Sequence, residues 1–94
     1  MSIQSIREEM EAIDAEMIRL IGRRQQLSAK LALIKQAEGL PIRDEARKNR
    51  VLERVFDLAV ERKIDPVPVQ QIFEILIRMS EERQRECMGE GNLP

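Results

Sequence analysis

From Ile3 to Ile34 the chain keeps one register without a slip. Ile3, Ile6, Met10, Ile13, Met17, Leu20, Leu27, Leu31 and Ile34 fall at spacings that alternate between three and four, and Arg24 fills the one remaining place. Such a repeat is the seam of a helix that packs lengthwise on other helices. Gly39 and Pro41 follow it in the order that ends a helix, so the spacing predicts a first helix from about Ile3 to Glu38. Ser5 with Glu8 three residues on is a capping-box pattern at its start, and Ser2 is the alternative cap. At ~1.5 Å per residue this helix is about 50 Å long, whereas a compact domain of this size has a radius of gyration of roughly 12 Å. The rest of a 94-residue chain is too short to cover it. The stripe therefore predicts a partner chain. It also poses a question of charge, because an arginine buried in a seam is costly unless an anion meets it.

Two further helices complete an all-α, single-domain reading of residues 1–94. Asp44 is a good N-cap for the second, which is expected to run to about Arg62 or Lys63 and to bury Val51, Leu52, Val55, Phe56, Leu58 and Ala59. Asp65-Pro66 opens the third as an N-cap with proline at the first helical position. Its core face is Val69, Ile72, Phe73, Leu76, Ile77 and Met79, and Pro68 still lies in the first turn, where a missing N–H does little harm. Met88 to Pro94 reads as a frayed tail.

Composition narrows the chemistry. Hydrophobic residues make up 43% of the chain but only Phe56 and Phe73 are aromatic, so the core is aliphatic. A net charge of -1 lacks the basic excess of a nucleic-acid footprint, and without Trp or Tyr the best base-stacking platforms are missing. With no histidine and one cysteine, Cys87, neither a zinc site nor a Ser–His or Cys–His nucleophile pair is expected. An enzyme built from this chain works without imidazole. The single cysteine also fits a reducing compartment. The N-terminus MSIQSIREEM has no apolar signal core, and no stretch approaches ~18 uninterrupted apolar residues. A cytoplasmic protein without a membrane span is the expectation.

Several polar residues lie on or beside the apolar faces. Ser28, Leu31 and Lys35 share the face of Arg24, and Lys35 is eleven residues further on. That is almost three turns, or about 16 Å between Cα atoms, so two long cationic side chains leaning together leave room for a small dianion. Asp44 and Arg47 occupy the first turn of the second helix. Ser80 and Gln84 continue the Phe73/Leu76/Ile77 face of the third helix, one turn apart. Arg7 lies on the same rod as Arg24 but about 25 Å away, so the two meet at one ligand only if two first helices pack antiparallel. Each residue has an ordinary explanation taken alone. Arg7, Arg47, Ser80 and Gln84 suit a solvated surface, and Lys35 suits a helix C-terminus. Asp44 is accounted for as a cap, and Arg24 as an interchain ion pair or a snorkelling side chain. The case for a site rests on the set.

That set resembles the all-helical chorismate mutases, intertwined homodimers of three-helix chains. The likeness runs from Ile6 to Gln84 without a gap. It is carried by Ile6-Arg7, Ile13-Asp14, Arg24 within LIGRRQQL, Lys35 after isoleucine, the Pro41-Ile42-Arg43-Asp44-Glu45-Ala46-Arg47 signature, and Ser80 with Gln84. The resemblance implies rearrangement of chorismate to prephenate on the route to aromatic amino acids. That reaction needs no nucleophile, general base, metal or cofactor. Carbon–oxygen cleavage runs ahead of carbon–carbon bond formation, so negative charge grows on the ether oxygen. Catalysis then comes from trapping a chair-like conformer and aiming fixed donors at that oxygen.

By this resemblance Arg24 holds one substrate carboxylate and Arg7 of a partner chain holds the other. Arg47 assists in binding. Lys35 and Gln84 donate to the ether oxygen, Asp44 meets the ring hydroxyl through its backbone, and Ser80 contacts a carboxylate or orders a water. One position departs from the pattern. The residue after the arginine matched to Arg47 is usually an acid that binds the ring hydroxyl, and here it is Lys48. Lysine donates but cannot accept. The expectation is weaker discrimination at the hydroxyl, or Lys48 turned out to solvent. Two other readings stay open on the sequence. One is isochorismate–pyruvate lyase chemistry on the same scaffold. The other is a dimerisation module without chemistry, in which Arg24 faces an acid and only sets register.

Overall fold

The computed structural model describes residues 1–89, which form three helices: α1 (Ile3–Glu38), α2 (Glu45–Glu61) and α3 (Pro66–Cys87). Among the described residues none is in a strand, and no helix is long and apolar enough to cross a membrane. The C-terminal tail expected to fray lies, beyond Gly89, outside the described residues.

Each helix end has a local cause. Ser2, not Ser5, caps α1: its hydroxyl accepts from the Ser5 N–H at 3.1 Å, and the Ser5 hydroxyl accepts from the Ser2 N–H at 2.9 Å. Ser5 thus takes the place usually held by Glu or Gln in a capping box, and Glu8 is not needed. At the other end Gly39 takes a left-handed conformation (φ 68°), and Leu40 N–H donates to the Lys35 carbonyl at 2.8 Å. This is the Schellman closure that glycine makes cheap. The Asp44 carboxylate caps α2 by accepting from Arg47 N–H at 3.0 Å, and Asp65 caps α3 through Val67 N–H at 3.0 Å. The helix α2 stops at Glu61, where Lys63 adopts φ 59° and Ile64 N–H reaches back to the Ala59 carbonyl at 2.9 Å.

α3 is the middle helix. It packs on both α1 and α2, while α1 and α2 do not pack on each other. The Gln70 amide donates to the Leu52 carbonyl at 3.0 Å, tying α3 to α2. What a single chain buries is small: Ala32, Val55 and Ala59, with Ser28 and Gln84 as buried polar residues. Phe56, Leu58 and Ile72, expected in the core, are exposed, because they fall on the flanks of α2 and α3 that the other helices do not reach.

The face of α1 that meets α3 is not the apolar stripe. It runs through Ile21, Arg24, Gln25, Ser28, Ala29, Ala32 and Lys35, with Ser28 and Ala32 buried in the contact. The two small residues let the helices approach closely. The stripe lies to one side, and Ile3, Met10, Ile13, Met17, Leu20, Leu27, Leu31 and Ile34 are all exposed. The shape follows: the chain spans 54 × 27 × 20 Å with a radius of gyration of 16.6 Å. That is well above the roughly 12 Å of a compact domain of this length.

Candidate active site

Three segments converge at the C-terminal half of α1. α1 contributes Arg24, Leu31 and Lys35. The connection and first turns of α2 contribute Ile42, Asp44, Arg47, Lys48 and Val51, and α3 contributes Ile77, Ser80, Glu81 and Gln84. Together they line a cavity of about 200 Å³. A second cavity of about 260 Å³ adjoins it, sharing Arg24, Leu31, Arg47 and Ser80 and adding Leu27 and Ser28. Leu27 and Leu31 belong to the exposed stripe, so this second space opens on the uncovered face of α1. Whatever covers the stripe also closes the cavity.

A hydrogen-bond chain fixes the floor. Ser28 Oγ donates to the Arg24 carbonyl at 3.0 Å and so spends its only proton there. At 2.6 Å from Ser28 Oγ, Ser80 Oγ must then be the donor to it. Ser80 in turn accepts from Gln84 Nε2 at 3.1 Å. This sequence of donors sets the Gln84 amide with its nitrogen toward Ser80 and leaves one N–H for another acceptor. Gln84 is 3% exposed, and its Oε1 is buried without a hydrogen-bond partner. It is not the solvated residue that its place beyond the apolar face suggested. Burying half an amide unpaired costs about 1–3 kcal/mol, which folding alone gives no reason to retain.

The cations are held more loosely. Arg24 is half-buried, with Nη1 at 3.5 Å from the Leu76 carbonyl and its guanidinium carbon 6.0 Å from the Phe73 ring centre. Among the described residues it forms no ion pair with a carboxylate. The acid that a register device requires is therefore not opposite it among the described residues. Lys35 Nζ donates to the Ile42 carbonyl at 2.6 Å, which draws the Gly39–Asp44 connection over the end of α1 and keeps the ammonium on the cavity wall. Arg47 and Lys48 enter from the first turn of α2. Lys48 is half-buried on the wall, not turned out to solvent. Four cationic side chains thus line one small space, against two acids, Asp44 and Glu81, and the Asp44 carboxylate is engaged as a cap. An anion is the ligand that such a space favours.

Of the residues singled out from sequence, Arg24, Lys35, Asp44, Arg47, Lys48, Ser80 and Gln84 come together here. Arg7 does not. It is exposed near the start of α1, about 25 Å along the rod. Glu81 was missed; the one signal for it is that it lies four residues after Ile77 and three before Gln84, on the same helical face.

Known proteins share this chain's pattern. The family model described as chorismate mutase type II matches residues 6–85. A chorismate mutase of Methanocaldococcus jannaschii is 31% identical over 88 residues, covering 94% of this chain and 89% of that protein. The bifunctional chorismate mutase/prephenate dehydratase of Escherichia coli strain K12 is 26% identical over 76 residues, which cover 81% of this chain but 20% of the longer protein. The corresponding bifunctional protein of Buchnera aphidicola is 26% identical over 85 residues, 22% of its length. The matched span takes in every residue on the cavity wall, and with it this all-helical chain belongs to the chorismate mutase type II family.

Proposed function

We propose that this chain is a chorismate mutase that rearranges chorismate to prephenate in a site completed by a second copy of itself. The observation that carries the reading is Arg24: a cation on a cavity wall beside Lys35, Arg47, Ser80 and Gln84, with no carboxylate paired to it among the described residues. In this reading Arg24 holds one substrate carboxylate, with Arg47 assisting. The bound dianion keeps the chair-like conformer in which the ends to be joined lie in contact. As the carbon–oxygen bond opens, the remaining N–H of Gln84 and the Lys35 ammonium stabilise the charge growing on the ether oxygen. The substrate's own electrons complete the new carbon–carbon bond, and no protein group forms or breaks a bond. Asp44 meets the ring hydroxyl through its backbone, and Ser80 orients Gln84 from its other side.

The second carboxylate is assigned to Arg7 of the partner. Support comes from the uncovered stripe, whose exposed apolar residues run the length of α1 and whose Leu27 and Leu31 edge the cavity. Two such rods packed antiparallel bring Arg7 of one to the Arg24 end of the other. With its one cysteine unpaired by any second, the enzyme is assigned to the cytoplasm.

The test is direct. Purified chain is mixed with chorismate, and its loss and the appearance of prephenate are followed. Turnover far above the uncatalysed rate is expected, and a rate equal to the uncatalysed one contradicts the proposal. Isochorismate in a parallel reaction is expected to release little salicylate and pyruvate. Release faster than prephenate formation would reassign the site to the lyase reaction.

A further inference from the structure

Resting on that reading, we infer that Glu81 of α3 and Lys48 of α2 together read the substrate's ring hydroxyl, with Glu81 accepting a hydrogen bond from it and Lys48 donating one to its oxygen. Among the side chains on the main cavity wall Arg24, Lys35, Arg47 and Lys48 are pure donors when charged, and Gln84 presents an N–H. A hydroxyl bound there needs an acceptor for its own hydrogen. Of the two wall carboxylates, that of Asp44 has one oxygen taken up by the Arg47 N–H in capping α2. The other belongs to Glu81.

Glu81 is set up for the task. Its side chain is 13% exposed, whereas the other carboxylates in ion pairs, on Glu16, Glu45 and Glu86, are 53–60% exposed. Arg43 approaches one oxygen at 4.0 Å and Arg85 the other at 3.7 Å. Both distances are those of charge attraction and are too long for a hydrogen bond. The arginines flank the carboxylate on both sides without using its lone pairs. Lys48 and Glu81 also stand together on the wall of a neighbouring cavity of about 200 Å³, so with Ile77 they form the partition between it and the candidate active site. One hydroxyl at that partition meets a donor from one helix and an acceptor from the other.

The experiment uses two rigid bicyclic ether dicarboxylates that mimic the chair, identical except that one carries the hydroxyl. Inhibition constants are measured for each on the wild-type dimer and on Glu81→Met, Glu81→Gln and Lys48→Met. Wild type is expected to prefer the hydroxylated compound by about tenfold to a hundredfold, the range of a hydrogen bond to a charged group. Glu81→Met is expected to lose that preference while binding the other compound as wild type does. Glu81→Gln, whose carbonyl still accepts, retains part of it. The double exchange Lys48→Glu with Glu81→Lys is expected to restore it, since the acid then faces the same hydroxyl from α2. An unchanged preference in Glu81→Met, with chorismate still turned over, overturns this inference and leaves the activity standing. A wild-type chain that neither turns over chorismate nor binds either ether overturns both.

Discussion

Arg24 and Gln84 each hold a position that costs stability, and the costs are of different kinds. Arg24 is a half-buried cation whose nearest polar partner is a carbonyl at 3.5 Å. Arg24→Ala is expected to lower kcat/KM for chorismate by about a hundredfold to a thousandfold, the scale for loss of one charged substrate contact. Its denaturation midpoint is expected to stay level or rise, because the uncompensated cation is gone. Gln84→Met removes an amide whose carbonyl is unpaired. Its kcat is expected to fall about a hundredfold to a thousandfold while urea unfolding shows no loss of stability. Since an amide donates without being protonated, the wild-type kcat is expected to be level from neutral to mildly alkaline pH. Arg24 was legible in the sequence because it breaks a nearly perfect register. Gln84 was legible only as one member of a set, and its burial was not, because nothing in a helical repeat says that its face will be covered in the fold. Glu81 escaped because charge next to a polar site reads as solvent-facing until the fold puts Arg43 and Arg85 around it.

The elements follow local rules closely enough that their ends are predictable from a few residues. Ser2, Gly39, Asp44 and Asp65-Pro66 mark boundaries that the structure keeps to within a residue or two. The end of α2, expected at about Arg62 or Lys63, falls at Glu61, and there Lys63 occupies the left-handed position that glycine usually takes. An L-residue there costs roughly 1–2 kcal/mol, part of which glycine returns as lost chain entropy. Lys63→Gly is therefore expected to stabilise the protein by about 0.5–1 kcal/mol, read from denaturant unfolding at fixed protein concentration. The face of α1 that packs within the chain was the harder thing to see. Ser28 and Ala32 form it, and small residues carry almost no hydrophobic signal. The strong signal, the aliphatic stripe, lies exposed on a face of α1 that no other described helix covers. Periodicity reveals that a helix has a face to bury, and the residues alone do not say against what.

At the scale of the molecule, one long helix does two jobs. Its buried small-residue face organises the cavity, and in the proposed dimer its exposed stripe packs on a second copy whose far end supplies Arg7. An aspartate at the centre of the stripe attacks only the second job. Ile13→Asp is expected to weaken dimerisation about a hundredfold or more, since each dimer then buries two unpaired carboxylates. Turnover should fall with it at concentrations where sedimentation shows monomer, although residue 13 lines none of the described cavities. The central claim, that each site is shared between two chains, has a sharper test in subunit exchange. Arg7→Ala and Arg24→Ala chains, each nearly inactive alone, are unfolded, mixed in equal amounts and refolded together. A two-fold dimer with shared sites regains roughly a quarter of wild-type activity, because half the dimers are mixed and each of those has one site with both arginines. Activity no higher than the sum of the two parents, in a sample verified to contain heterodimers, would contradict it.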